Sequence, residues 1–244
     1  AVCGGIDMTG KRWDTRDHEE DQPLRRTPNG RKYDPWHDAS MMMEGEIAEA
    51  LSDLGRDRWI RAGGKPLMPI RAPEKSLWPE GLDATFENVE IGIARTRSKH
   101  RDWQAIREIE ALFVQHIKRA RRFIYAESQY FASRAIGEAI LKRMEEDDPP
   151  EILIVHPAHA DGWLEQQAMD HARAELVRCI EQVDGKGRFS IWTPYSGETP
   201  IYVHAKIMIV DDEIFRIGSA NMNNRSMGLD SECDVFVDST RPGN

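Results

Sequence analysis

A histidine and a lysine two positions apart, His204-x-Lys206, stand in an apolar run that reads as a strand. Asp211 follows, and then the small-residue turn Gly218-Ser219-Ala220-Asn221. Alternate residues of a strand share a face, so His204 and Lys206 are expected to point one way while Val203, Ala205 and Ile207 enter the core. An imidazole there can attack or protonate, and an ammonium beside it can neutralise phosphoryl oxygens. Gly218 and Ser219 let backbone approach an anion closely, and Ser219 and Asn221 add donors. Asp211 lies an odd number of positions from His204, which predicts a hydrogen-bonding role at a turn rather than contact with substrate. Glu232, in Gly228-Leu229-Asp230-Ser231-Glu232, is a candidate to accept from His204 and fix its tautomer. Asp230 competes for that role. These residue types at this spacing point to phosphoryl transfer.

Elements must hold these groups in place. The first forty residues are rich in turns and charge, with a short buried strand at their start. The periodicity predicts a helix over 42–61, stopped by Gly63-Gly64, and an irregular Pro-rich connector over 65–88. Val89 to Ile93 alternates as a strand. Trp103 to Arg122 predicts an amphipathic helix through Ile106, Ile109, Leu112, Phe113 and Ile117. Strands are expected at 123–126, 152–156, 189–192, 202–210, 214–217 and 235–237. Helices are expected from the Ser133 cap to about Glu146 and from Asp161 to Val183. Asp211-Asp212-Glu213 predicts a hairpin. The sum is an α/β layered fold, a mixed sheet with helices on both faces.

The composition fits a folded enzyme: 244 residues, 40% hydrophobic and 31% charged. A net charge of −9 argues against a nucleic-acid partner. No apolar run reaches the roughly 18 residues of a membrane span. Cys3, Cys179 and Cys233 show no metal-type spacing and are expected to be buried free thiols. His156 and His159 are expected at a strand end, with no metal site. Core packing is expected for at least two of Trp163, Trp192 and Tyr195, and His37 is expected to cap or pack. The chain begins without an initiator Met or a signal peptide and reads as a piece of a longer protein, so its localisation stays open.

The run His204-x-Lys206-x4-Asp211-x6-Gly218-Ser219-x-Asn221 resembles the signature of the phospholipase D superfamily, with every position filled. The likeness extends along the chain. Gly4-Gly5-Ile6-Asp7 resembles the tail of a first copy of the motif, and Arg12-Trp13-Asp14 and Pro35-Trp36-His37-Asp38 are similar to the segments that follow it. Glu127-Ser128-Gln129-Tyr130-Phe131 is similar to a Glu-Asn-Gln-Tyr-Phe segment, with Ser128 departing from Asn. The resemblance is to phospholipase D itself more than to the phosphatidyltransferase or nuclease branches.

The resemblance implies two similar lobes, the first truncated here: residues 1–97 as its C-terminal part plus connector, and 98–244 as the complete second lobe. It implies that two His-Lys pairs meet in one site, with no metal or other cofactor. One histidine attacks phosphorus and forms a phosphohistidine; His204 serves as the general acid and then the base. Lys206 and Asn221 hold the phosphoryl oxygens, Asp7 lines the site, and Asp14 is a further candidate to orient His204. The expected substrate is a glycerophospholipid at a membrane surface, with the missing N-terminal part of the same protein completing the site. A nucleic-acid phosphodiesterase completed by dimerisation, a cardiolipin synthase-like phosphatidyltransferase and a non-catalytic lipid-binding lobe are the alternatives.

Overall fold

The computed structural model describes residues 1–5, 7–69, 73–159 and 163–244, with side chains described outside 160–170. The chain opens with β1 (Val2–Gly4), β2 (Trp36–His37) and β3 (Ser40–Met42), then α1 (Glu46–Arg61). Next come β4 (Ile91–Arg97), β5 (Ile106–Arg107), α2 (Glu108–Arg119), β6 (Phe123–Glu127), β7 (Phe131–Ala132) and α3 (Arg134–Met144). They are followed by β8 (Glu151–Val155), α4 (Trp163–Val183), β9 (Phe189–Trp192), β10 (Tyr195–Ser196) and β11 (Thr199–Pro200). The last are β12 (Tyr202–Val203), β13 (Ile207–Val210), β14 (Ile214–Gly218), β15 (Met222–Asn223), α5 (Asn224–Gly228) and β16 (Glu232–Asp238).

Eight strands form a mixed sheet in the order β5-β4-β16-β14-β13-β6-β8-β9. Pairing is antiparallel from β5 to β6 and parallel through β6, β8 and β9, where α3 and α4 provide the crossovers. Ile109, Phe113 and Ile117 recur at four-residue spacing along α2 and are fully buried with Ile136, Ile140 and Ile180 against one face. Each such side chain contributes roughly 1.5–3 kcal/mol by leaving water. The opposite face carries Ile217 and Val235, covered by Cys3 and Met43 and by Ile47 and Leu51 of α1.

Several boundaries move for physical reasons. The helix expected from residue 42 begins at Glu46, because Ser40–Met42 pairs antiparallel with β1. The helix expected from Trp103 begins at Glu108, because Ile106–Arg107 adds to the sheet beside β4. Arg97 and Arg61 lie over the Trp103 ring. The strand expected over 89–93 runs from Ile91 to Arg97 and sits between β5 and β16 in the eight-stranded sheet. Cys3 is a buried thiol, whereas Cys179 is exposed. Trp192 and Tyr195 are 62% and 56% exposed, so neither supplies the expected core packing; the Trp163 side chain lies outside the described residues. No helix among the described residues is long and apolar enough to cross a membrane.

One sheet end gathers the chemistry. Ile207 at the start of β13 is opposite Glu127 at the end of β6 and Ile217 near the end of β14, and Gly218 faces Asp234 of β16. There β12 pairs parallel with β2, and β15 pairs parallel with β7.

Candidate active site

The strand expected over 202–210 is broken at the motif. β12 ends at Val203 and β13 begins at Ile207, leaving His204, Ala205 and Lys206 between them. Alternation still holds at Val203 and Ala205, which are fully buried. The break exists because β12 leaves the main sheet to pair with β2: Tyr202 faces Trp36, Val203 faces His37, and the His204 amide donates to the His37 carbonyl at 2.8 Å. Trp36 stacks on Tyr202 at 4.5 Å and tilts against His204 at 5.1 Å. Gly5 completes the junction. A Cβ there would lie 2.8 Å from Asp38 Oδ1 and 2.9 Å from both the His204 carbonyl and the Lys206 stem. Only glycine gives the backbone this approach.

Asp38 is the carboxylate that holds His204: Nδ1 of the ring meets Asp38 Oδ2 at 2.8 Å. The candidates named from sequence are engaged elsewhere. Glu232 accepts from Ser219 Oγ at 2.5 Å and Ser226 Oγ at 2.7 Å, Asp230 pairs with Arg225, and Asp14 accepts from His18, Arg25 and the Trp36 amide. The register of β2 and β12 decides this, since it delivers residue 38 beside residue 204. Asp38 was present in the segment Pro35-Trp36-His37-Asp38, and the parallel pairing that makes it functional leaves no local signal. Oδ1 of Asp38 also accepts from the Ala39 amide, which fixes the carboxylate. Nε2 of His204 keeps no protein partner among the described residues and can exchange a proton with a bound group.

Lys206 is 3% exposed, and its ammonium bends back to donate to the His204 carbonyl. Burial lowers its pKa from 10.5 to about 8, against the pull of Asp38, Glu232 and Asp7, while Arg12 adds to the lowering. Arg12, missed from sequence, is a second cation whose charge acts on Lys206. Its guanidinium lies 4.0 Å over the Trp36 ring and reaches the exposed Asp7 at 3.4 Å. Burial raises the pKa of Glu232, and the two serine hydroxyls only partly oppose it.

The turn from Gly218 to Asn221 is held from behind. Asp234 accepts from the Ala220 amide at 3.1 Å, and Arg216 donates to the Ala220 carbonyl at 3.2 Å. Ser219 Oγ is committed to Glu232 and also accepts from the Cys233 amide. Asn221 donates its backbone amide to Ser226, while its buried Oδ1 has no partner among the described residues. Turning that amide by 180° keeps its shape and presents N–H to an anion. Asp211 stands apart from this site. It accepts from the amides of Arg121, Arg122 and Phe123 at 2.7–2.8 Å, tying the β13–β14 hairpin to the start of β6.

Behind the site, Glu127 of the Glu127–Phe131 segment accepts from His37 Nε2 and from Tyr125, both at 2.7 Å. Ser128, fully buried, donates to the Tyr130 carbonyl and accepts from the Met222 amide, which joins this segment to the loop after Asn221. His156 is buried against Arg173, and burial holds its pKa at about 4, so it stays neutral. An oriented imidazole, a buried lysine and an amide-bearing turn can bind and protonate a phosphoryl oxygen.

Residues 113–242 match the family model described as cardiolipin synthase, PLD-like domain. Phospholipase D alpha 1 of Zea mays is 25% identical over 345 aligned residues, covering 99% of this chain and 42% of the relative. Phospholipase D alpha 1 of Arabidopsis thaliana is 22% identical, covering 99% of this chain and 43% of the relative. The chain thus spans less than half the length of the curated relatives it matches. The phosphatidylserine synthase of Haemophilus influenzae superposes with a TM-score of 0.60 at 13% identity, covering 87% of this chain and 53% of that one, and it shares the fold. The chain belongs to the phospholipase D superfamily, whose members are phosphodiesterases or phosphatidyltransferases.

Proposed function

We propose that this chain supplies the second-motif half of a phospholipase D, acting on a glycerophospholipid to give phosphatidate and the head-group alcohol. The observation that carries the reading is His204 held by Asp38, beside a buried Lys206. His204 protonates the leaving alcohol from Nε2 while Nδ1–H stays on Asp38. Lys206 and Asn221 hold the phosphoryl oxygens. A histidine from a first His-x-Lys motif, on the segment leading into Gly4-Gly5, attacks phosphorus and becomes the phosphohistidine; His204 then takes the proton from water or a second alcohol. The packing of Gly5 against Asp38 and Lys206 supports this joint. Glu232, which among the described residues partners only hydroxyls and acts electrostatically on Lys206, suits the incoming histidine.

The test is choline release from phosphatidylcholine vesicles, with and without ethanol, by this chain and by an N-terminally extended protein. The expected result is turnover in the extended protein only, lost in His204→Ala, with phosphatidylethanol formed when ethanol is present. Turnover by the short chain that disappears in His204→Ala overturns the half-site assignment. Inactivity of the extended protein on phospholipid, with cleavage of a plasmid substrate, overturns the lipid assignment.

A further inference from the structure

Behind His204 runs a line of hydrogen bonds that joins two histidines ring to ring. Asp14 Oδ2 meets His18 Nδ1 at 3.1 Å, His18 Nε2 meets His37 Nδ1 at 3.1 Å, and His37 Nε2 meets Glu127 Oε2 at 2.7 Å. Tyr125 donates to the other Glu127 oxygen. His18 reaches this position with a φ of 48°, in the left-handed region that side chains rarely occupy. Backbone strain of this kind persists where the surroundings enforce it.

Proton counting decides the state of the pair. Burial works to raise the pKa of Asp14, but the bonds from His18, the Trp36 amide, Arg25 and the Thr15 amide outweigh it and leave it lowered. Burial likewise opposes ionisation of Glu127, and the bonds from His37 and Tyr125 outweigh it. Both carboxylates are therefore ionised acceptors, and each ring nitrogen facing one carries its proton. Two neutral rings would then aim lone pairs at each other across 3.1 Å. One further proton between them turns that repulsion into a hydrogen bond.

We propose that His37 carries an extra proton, donated from Nδ1 to His18 Nε2 in a two-histidine dyad, and that this proton positions the Asp38–His204 pair. The link is short: His37 precedes Asp38, and its carbonyl accepts the His204 amide at 2.8 Å. The His37 ring faces Glu127 of β6, which Tyr125 also bonds, and His18 of the preceding loop, and it feels the neighbouring charge of Asp38. His18 faces Asp14, which also holds Arg25. The Glu127 bond raises the pKa of His37 against the opposing effect of burial. The extra proton is thus bound below the ordinary histidine range and released as pH rises through the raised value. Release sets the rings apart and loosens the backbone that carries Asp38. The consequence for turnover rests on the phospholipase D reading; the dyad itself does not.

The test follows histidine ring nitrogens by NMR in this chain, labelled with 15N-histidine, between pH 5 and 9. The expected result is a His37 midpoint above the ordinary value, with a coupling across the hydrogen bond between His37 Nδ1 and His18 Nε2. In His18→Asn, whose amide bonds His37 without titrating, the His37 midpoint falls by roughly one pH unit. Absence of that coupling, or an unmoved His37 midpoint in His18→Asn, overturns the dyad. In the extended protein, His18→Asn shifts the pH profile of kcat/KM, and the coupling seen by NMR with an unshifted profile overturns the proton's positioning role. Inactivity of the extended protein would sink the functional reading and leave the ring measurement standing.

Discussion

His204 Nδ1 lies 2.8 Å from Asp38 Oδ2, across 166 positions of sequence. Their side chains are 13% and 4% exposed, so the contact is largely shielded from solvent. The parallel pairing of β2 with β12 sets the contact, and the glycine at position 5 leaves room for it. A carboxylate so placed keeps the proton on Nδ1 and stabilises the imidazolium formed during proton transfer.

Asp38→Asn tests this directly. The Asn oxygen can keep the Ala39 amide, but its NH2 then faces Nδ1 and forces the opposite tautomer on His204. The expected outcome is a fall in kcat of roughly 10³–10⁴ in the extended protein, with KM little changed. Circular dichroism should show the fold intact. A loss under tenfold would remove Asp38 from the catalytic description.

Lys206→Met should stabilise the chain near neutrality. The native lysine has a folded pKa of about 8 against 10.5 unfolded, so between these values the unfolded chain binds more protons and stability rises with pH. Below pH 8 the whole penalty of burying the ammonium is present, roughly 3 kcal/mol for this shift. The methionine variant should therefore melt roughly 5–10 °C higher at pH 7, with the gap closing from pH 8 toward 10. Thermal scans of both proteins across that range check it; a variant less stable at pH 7 contradicts the electrostatic account.

The parts legible in sequence were those written in local periodicity. The apolar positions of α2 and the Ser133 cap, whose Oγ accepts from the Ile136 amide, follow from spacing alone. So does the β13–β14 hairpin, where Asp211 and Asp212 both take positive φ. What was not legible depended on pairing between distant segments. The break at His204 comes from β2 pulling β12 out of the sheet, and Asp38 displaces Glu232 as the partner for the same reason. No residue of α1 is fully buried, and Trp59 turns outward to donate to the Lys65 carbonyl, so the periodicity located this helix without measuring its burial.

Asp211→Asn should destabilise the fold with little direct effect on chemistry. Burial works to raise the Asp211 pKa, but the Phe123, Arg121 and Arg122 amides outweigh it and leave it lowered. An Asn keeps one acceptor and turns an NH2 toward an amide donor, costing about 2–3 kcal/mol at pH 7. A lowered carboxylate contributes stability above its unfolded value of 3.8 that disappears as pH falls through the folded value. Urea titrations of both proteins should converge below pH 4. A constant difference down to pH 2 would assign the loss to shape rather than charge.

Arg216 and Asp234 are buried to 1% and 0% exposure, form an ion pair, and together clamp Ala220 inside the turn from Gly218 to Asn221. Arg216 also lies 3.9 Å over the Phe113 ring of α2, so the turn is anchored to the core. Removing one partner strands the other charge, and Arg216→Met or Asp234→Leu alone should each cost about 3–5 kcal/mol. The double variant removes both charges and should recover part of that stability. It cannot recover the turn, because the Ala220 amide and carbonyl both lose their partners. Loop position and global stability therefore separate. If the clamp aligns Ser219 and Asn221, the double variant of the extended protein should regain part of its unfolding midpoint relative to either single variant yet keep a raised KM for phospholipid. Recovery of both together would make the pair a matter of folding alone.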